Sequence, residues 1–95
     1  MSEKEAYEKK LQAQLDEWNS EIDKLKAKAD KAEADAQLEY YQKIDELREK
    51  QKKSNQKLDE LKSASDEAWK DMKTGIDSAL DSLGRSLESA KSRFK

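Results

Sequence analysis

Between Leu58 and Phe94 the large apolar residues fall into columns. Leu58, Trp69 and Leu80 recur every eleven residues, as do Leu61, Met72, Leu83 and Phe94, and Ile76 and Leu87 form a third column. Eleven residues occupy three helical turns, about 3.67 residues per turn, so on an α-helix the columns merge into one nearly straight stripe, whereas a strict heptad coils left-handed. At about 100° per residue, the stripe from Trp69 to Phe94 fits within a sector of roughly 80°. A seam that narrow cannot enclose a core by itself. It requires a partner, which is another helix, another copy or a lipid surface.

The N-terminal half carries a different period. Leu11, Leu15, Trp18, Ile22, Leu25, Ala29, Ala32 and Ala36 follow alternating steps of four and three, the a/d pattern of a heptad seam. Its last three positions are alanine, which buries little area at about 25 cal/mol per Å², so the Ala29–Ala36 stretch is expected to be weakly held. Tyr40, Ile44 and Leu47 then continue with two successive steps of four, a stutter that marks the change from heptad to eleven-residue phasing. Between Leu47 and Leu58 the seam slots are occupied by Gln51 and Ser54. A bend is expected there first, and second at Ser63-Ala64-Ser65-Asp66-Glu67, where a serine followed by acids resembles a helix N-cap.

One pattern runs through both places. Leu25, Ala36, Leu47, Leu58, Trp69 and Leu80 keep an unbroken eleven-residue step. The chain is therefore expected to be all-α and to form one long, nearly continuous amphipathic helix, a coiled-coil rod of roughly 130 Å at 1.5 Å per residue. Heptad phasing would cover about 11–36 and eleven-residue phasing about 58–94. The alternative is an antiparallel helical hairpin with a turn near 51–56 or 63–65. As a single unit, 1–95 divides into a frayed end (1–10), a heptad half (11–47), a basic polar hinge (48–57) and an amphipathic C-terminal helix (58–95).

Composition supports helix throughout. Ala, Glu, Lys, Leu and Arg make up 53 of 95 residues, Pro is absent, and glycine occurs only at Gly75 and Gly84. With no His and no Cys, the usual nucleophile–base pairs and soft-metal sites cannot be built, so neither an enzyme, a cofactor nor a metal is expected. A net charge of -2 argues against a dedicated nucleic-acid binder. The opening MSEKEAYEKK lacks the apolar stretch of a signal peptide, and cytoplasmic residence is the expectation.

The expected interaction seam is Leu11, Leu15, Trp18, Ile22, Leu25, Tyr40, Ile44, Leu47, Leu58, Leu61, Trp69, Met72, Ile76, Leu80, Leu83, Leu87 and Phe94. Trp18 and Trp69 read as packing anchors on it, since aromatic side chains dominate interface energetics. A second surface is the run from Arg48 to Lys57, which is +4 net. In it Arg48, Lys50, Lys52, Lys53 and Lys57 could contact anionic lipid heads or nucleic acid, although a solvated charge run explains it more simply. A third is the row Ser78, Ser82, Ser86, Ser89 and Ser92 opposite the apolar stripe, a pattern shared with helices that sense lipid packing.

Residues 7–48, YEKKLQAQLDEWNSEIDKLKAKADKAEADAQLEYYQKIDELR, and 68–95, AWKDMKTGIDSALDSLGRSLESAKSRFK, resemble a family of small bacterial coiled-coil proteins named for stress response and first met in cyanobacteria. The eleven-residue repeats also resemble those of late-embryogenesis-abundant proteins and exchangeable apolipoproteins. These resemblances imply a protective role under stress, or reversible lipid coating, and carry no catalytic residues. The function expected is that of a non-enzymatic structural or interaction protein, a self-associating homo-oligomeric coiled coil with a stress-protective role and no small-molecule substrate. The alternatives are a peripheral membrane helix and, ranked lower, a largely disordered hydrophilic protectant.

Overall fold

Ser2 opens the first helix, its hydroxyl accepting a hydrogen bond from the Glu5 amide at 3.2 Å. Glu3 and Glu5 in the first turn and Lys28 and Lys31 in the last complement the helix dipole, and the helix, α1, runs Glu3–Lys31. Two further helices follow in this computed structural model, α2 over Ala34–Lys62 and α3 over Ala68–Arg93. The structure describes residues 2–94. Met1 and Lys95, the outermost residues of the expected frayed end and C-terminal helix, lie outside that range. Every regular element is helical, as the all-α expectation requires. Residues 3–10 are not frayed: they form the first turns of α1, and the Tyr7 ring packs on Trp69 with centroids 5.7 Å apart.

The chain turns back twice where a continuous rod was expected to run straight. The first connection is Ala32–Glu33, where both residues are extended, with ψ of 158° and 151°. It falls inside the alanine stretch that buries least. Gln37 Nε2 satisfies the broken end of α1 by donating to the carbonyls of Ala29 at 3.2 Å and Asp30 at 3.4 Å, and the Tyr41 hydroxyl donates to the Asp30 carboxylate at 2.6 Å, tying α2 to α1. The second connection lies at Ser63–Glu67, one of the two positions expected for a hairpin turn. There the Ser65 hydroxyl accepts from the Ala68 amide at 3.1 Å and its carbonyl from Trp69 N. The other expected turn, 51–56, is uninterrupted helix within α2. A rod would leave every apolar stripe in water. Two capped turns cost a few helical hydrogen bonds and bury three stripes on one another.

The resulting bundle measures 50 × 20 × 18 Å, with α1 and α3 parallel and α2 antiparallel to both. Its core contains Leu11, Leu15, Ile22, Leu25 and Ala29 from α1, Ile44, Leu47, Leu58 and Leu61 from α2, and Trp69, Ile76, Leu83, Leu87, Ala90 and Phe94 from α3. Burial follows sevens. In α3 the buried column is Trp69, Ile76, Leu83 and Ala90, while in α2 Ile44, Leu47, Gln51, Ser54, Leu58 and Leu61 alternate steps of three and four. The eleven-residue step from Leu58 to Trp69 crosses the Ser63–Glu67 connection, so it joins two helices instead of phasing one. Met72 and Leu80, members of the eleven-residue columns, are only half-buried.

Gln51 and Ser54 therefore belong to the core and not to a hinge. Gln51 Nε2 and Arg48 both donate to Asn19 Oδ1 of α1, at 2.7 and 2.8 Å, and Arg48 also donates to Gln51 Oε1 at 3.0 Å. Ion pairs likewise cross between helices. Lys91 meets Glu21 at 2.6 Å, Arg48 meets Asp23, and Arg93 approaches Glu39 at 3.9 Å. No helix among the described residues is long and apolar enough to cross a membrane.

Candidate functional site in the groove between α1 and α3

Each side of a three-helix bundle is closed by a pair of helices, and here the pairs are unequal. α2 lies close against both neighbours, while α1 and α3 stand further apart and leave a groove of about 550 Å³ between them. The groove runs from Tyr7 to Trp18 along α1 and from Asp77 to Glu88 along α3. Eleven residue steps on each helix make it about 16 Å long. Its apolar floor is Leu11, Trp18 and Leu80, with Gly84 beside the indole. Lys10 and Gln14 line the α1 rim, and Asp77, Asp81, Arg85 and Glu88 line the α3 rim.

The two ends are built differently. At one end Tyr7 donates its hydroxyl hydrogen to Asp77 while Lys73 Nζ lies 5.4 Å from the ring centroid. Burial, and then the hydrogen bond to the Asp77 carboxylate, push the Tyr7 hydroxyl pKa well above the usual phenol range. The phenol stays protonated and latches α1 to α3. At the other end Gly84 lets the helices approach. A Cβ placed there would lie 3.1 Å from Trp18 Cζ2 and 3.2 Å from Cη2, so the indole rests on bare α3 backbone. Just beyond it, the hydrogen bond to Glu21 raises the Lys91 pKa and ties the helices again. The groove is thus held open between two fixed latches.

The residues expected to form an outward seam mostly face each other within the chain. Leu11, Leu15, Ile22, Leu25, Ile44, Leu47, Leu58, Leu61, Trp69, Ile76, Leu83, Leu87 and Phe94 are buried together, and Trp18, Tyr40, Met72 and Leu80 lie half-buried against them. Tyr40 stacks on Phe94 with centroids 4.2 Å apart. Of this set, Leu11, Trp18 and Leu80 reach the groove.

The basic run does not form one free cationic face. Arg48 is engaged with Asn19, Gln51 and Asp23, Lys50 donates to Ser82 at 3.1 Å and to Ser86, and Lys57 is half-buried, leaving Lys52 and Lys53 exposed. The same bonds draw two members of the serine row, Ser82 and Ser86, towards α2. That row is consequently not a uniform solvent face.

Sequence reasoning did not single out Lys10, Gln14, Asp77, Asp81, Gly84, Arg85 or Glu88 as a site. Periodicity shows which residues face inward, but it does not show which pair of helices packs loosely. The available signal was Gly84, a residue that weakens a helix interior and so points to close packing at that spot. Comparison with known proteins returns no matching family model, no matching curated protein and no matching solved structure.

Proposed function

We propose that this chain is a non-enzymatic interaction protein, a three-helix bundle whose working surface is the α1–α3 groove. That groove takes an apolar surface presented by another polypeptide chain. The observation that carries this reading is the half-buried apolar floor of Trp18 and Leu80, rimmed by charges of both signs and flanked by two latches. An apolar floor with a polar rim is how protein interfaces are built. The absence of His and Cys from the sequence supports a non-enzymatic role. A stress-protective role rests on the resemblance carried by residues 7–48 and 68–95.

The groove reading is tested with the apolar dye anilinonaphthalene sulfonate. One dye per chain is expected to bind the native protein at low protein concentration, and Leu80→Glu is expected to remove that binding with helicity unchanged. Equal dye binding by both proteins, or none by either, contradicts the groove as an apolar binding surface.

A further inference from the structure

We infer that the Ala32–Glu33 connection is a hinge for helix exchange: α1 swings out, α1 and α2 join into one helix, and α1 of a second copy takes the vacated place. This goes beyond the groove reading and does not rest on it. The observation is how little separates this turn from helix. Ala32 and Glu33 have φ of -73° and -63°, both helical values, and only their ψ angles, 158° and 151°, depart from helix. Neither residue is Gly or Pro, and both Ala and Glu favour helix. Rotating two ψ angles therefore joins α1 to α2. The Ser63–Glu67 connection differs, being longer and held by Ser65, which is bonded to both Ala68 and Trp69.

Phase makes the straightened chain able to pair. Counted at about 100° per residue on one uninterrupted helix, the buried residues of α1 and those of α2 share a sector of about 100°. A hairpin does not need this, since its helices turn their inward faces to each other whatever the phase between them. In the joined helix both halves present their seams on one side, so two copies can lie antiparallel about a two-fold axis at the hinge. Levels are kept as well. Ala29 lies beside Gln37, Asn19 beside Gln51 and Lys4 beside Lys62, so α1 and α2 stay level to within about one turn. Each α1 thus meets α2 and α3 of the other copy through the contacts it made in its own chain, which is what makes exchange of an identical element a low-cost route to a dimer. The joined helices are about 90 Å long, and each end of the dimer carries a groove built from α1 of one copy and α3 of the other. What holds the closed form is local: Gln37 caps the Ala29 and Asp30 carbonyls, which the Glu33 and Ala34 amides would take in the joined helix.

Refolding the full chain from denaturant at low and high concentration, followed by size-exclusion chromatography, tests this. High concentration should yield a dimer that persists on dilution. Asp23→Cys with Arg48→Cys replaces an α1–α2 ion pair in a chain that has no other cysteine. A short bismaleimide should link two chains of that variant in the dimer and close each chain on itself in the monomer. Ala34→Pro separates the two forms. At the first position of α2 a proline fits the turn, because that amide has no intrahelical partner and Glu33 before it is extended, whereas in the joined helix it interrupts the interior. It should leave the monomer folded and lower the association constant at least about a hundredfold. Gln37→Ala should raise that constant about tenfold, by removing caps that only the closed form uses. A dimer linked only within its chains, a dimer unaffected by Ala34→Pro, or no dimer from wild type and Gln37→Ala at any concentration overturns the exchange.

Discussion

The six-membered ring of Trp18 lies against α3 at Gly84, with room for a hydrogen at that Cα and little for a methyl group. The indole's far edge is what a new Cβ would touch, and that edge borders the groove, so Trp18 can yield outward. Gly84→Ala is therefore expected to change stability by less than about 1 kcal/mol, because the gain in helix propensity offsets the displaced ring. Trp18 fluorescence should shift, and the dye should bind less well. Gly75, also inside α3, has nothing within 4 Å of its missing Cβ. Gly75→Ala should show the propensity gain alone, about 1 kcal/mol, read as a melting temperature higher by about 4–8 °C. Equal stabilisation by the two substitutions, with groove binding intact in both, contradicts the packing of Trp18 on Gly84.

Ser54 occupies a seam position of α2 at 3% exposure, and its hydroxyl has no hydrogen-bond partner among the described residues. Ser54→Ala is expected to stabilise the fold by about 1 kcal/mol, since it removes an unpaired buried polar atom and favours helix. Gln51→Ala should do the opposite, with a loss of about 1 kcal/mol, because Gln51 bridges Asn19 and Arg48. Chemical denaturation of the two variants separates these signs. Destabilisation by Ser54→Ala is the contrary result.

The Tyr7–Asp77 latch makes stability sensitive to alkali. In the unfolded chain a tyrosine titrates near pH 10, whereas in the bundle Tyr7 is raised by burial and by its bond to the Asp77 carboxylate. The folded state thus holds the proton more tightly. The latch's contribution is complete below about pH 10 and is lost as pH rises from there through the folded pKa. Denaturation midpoints of the wild type should fall over that range, and those of Tyr7→Phe should fall less. Parallel declines in the two proteins would place the alkaline sensitivity elsewhere.

The fold was legible in the sequence up to the point where helices choose partners. Helical content followed from composition, and most of the inward faces followed from period: Leu11, Leu15, Ile22 and Leu25, and Trp69, Ile76, Leu83, Leu87 and Phe94, are buried where spacing placed them, while Trp18, Met72 and Leu80 are only half-buried. The Ser63–Glu67 connection was legible because serines before acidic residues mark a helix start; α3 does begin just after it, with Ser65 Oγ accepting from the Ala68 amide. The Ala32–Glu33 connection was less legible. It contains neither Gly nor Pro, and it exists because alanine seam positions lose little when the helix breaks, because Gln37 caps the carbonyls left at the end of α1, and because Tyr41 holds the Asp30 side chain. Gln51 and Ser54 were misleading for a related reason. Polar residues in a seam read as a hinge, but their partners Asn19 and Arg48 become visible only when α1 and α2 lie side by side. The groove could not be read at all, because it is a property of the spacing between α1 and α3.

Small-angle X-ray scattering at several concentrations, extrapolated to infinite dilution, measures directly whether the apolar stripes are folded against one another. The three-helix bundle has a Cα radius of gyration of 15.3 Å, and a profile close to that value at infinite dilution is the expected result. A continuous helix of the same chain has a radius of gyration of roughly 38 Å, following from its length at 1.5 Å per residue. A value near that, persisting at the highest dilution, would mean that the stripes are covered by other molecules and not by this chain itself.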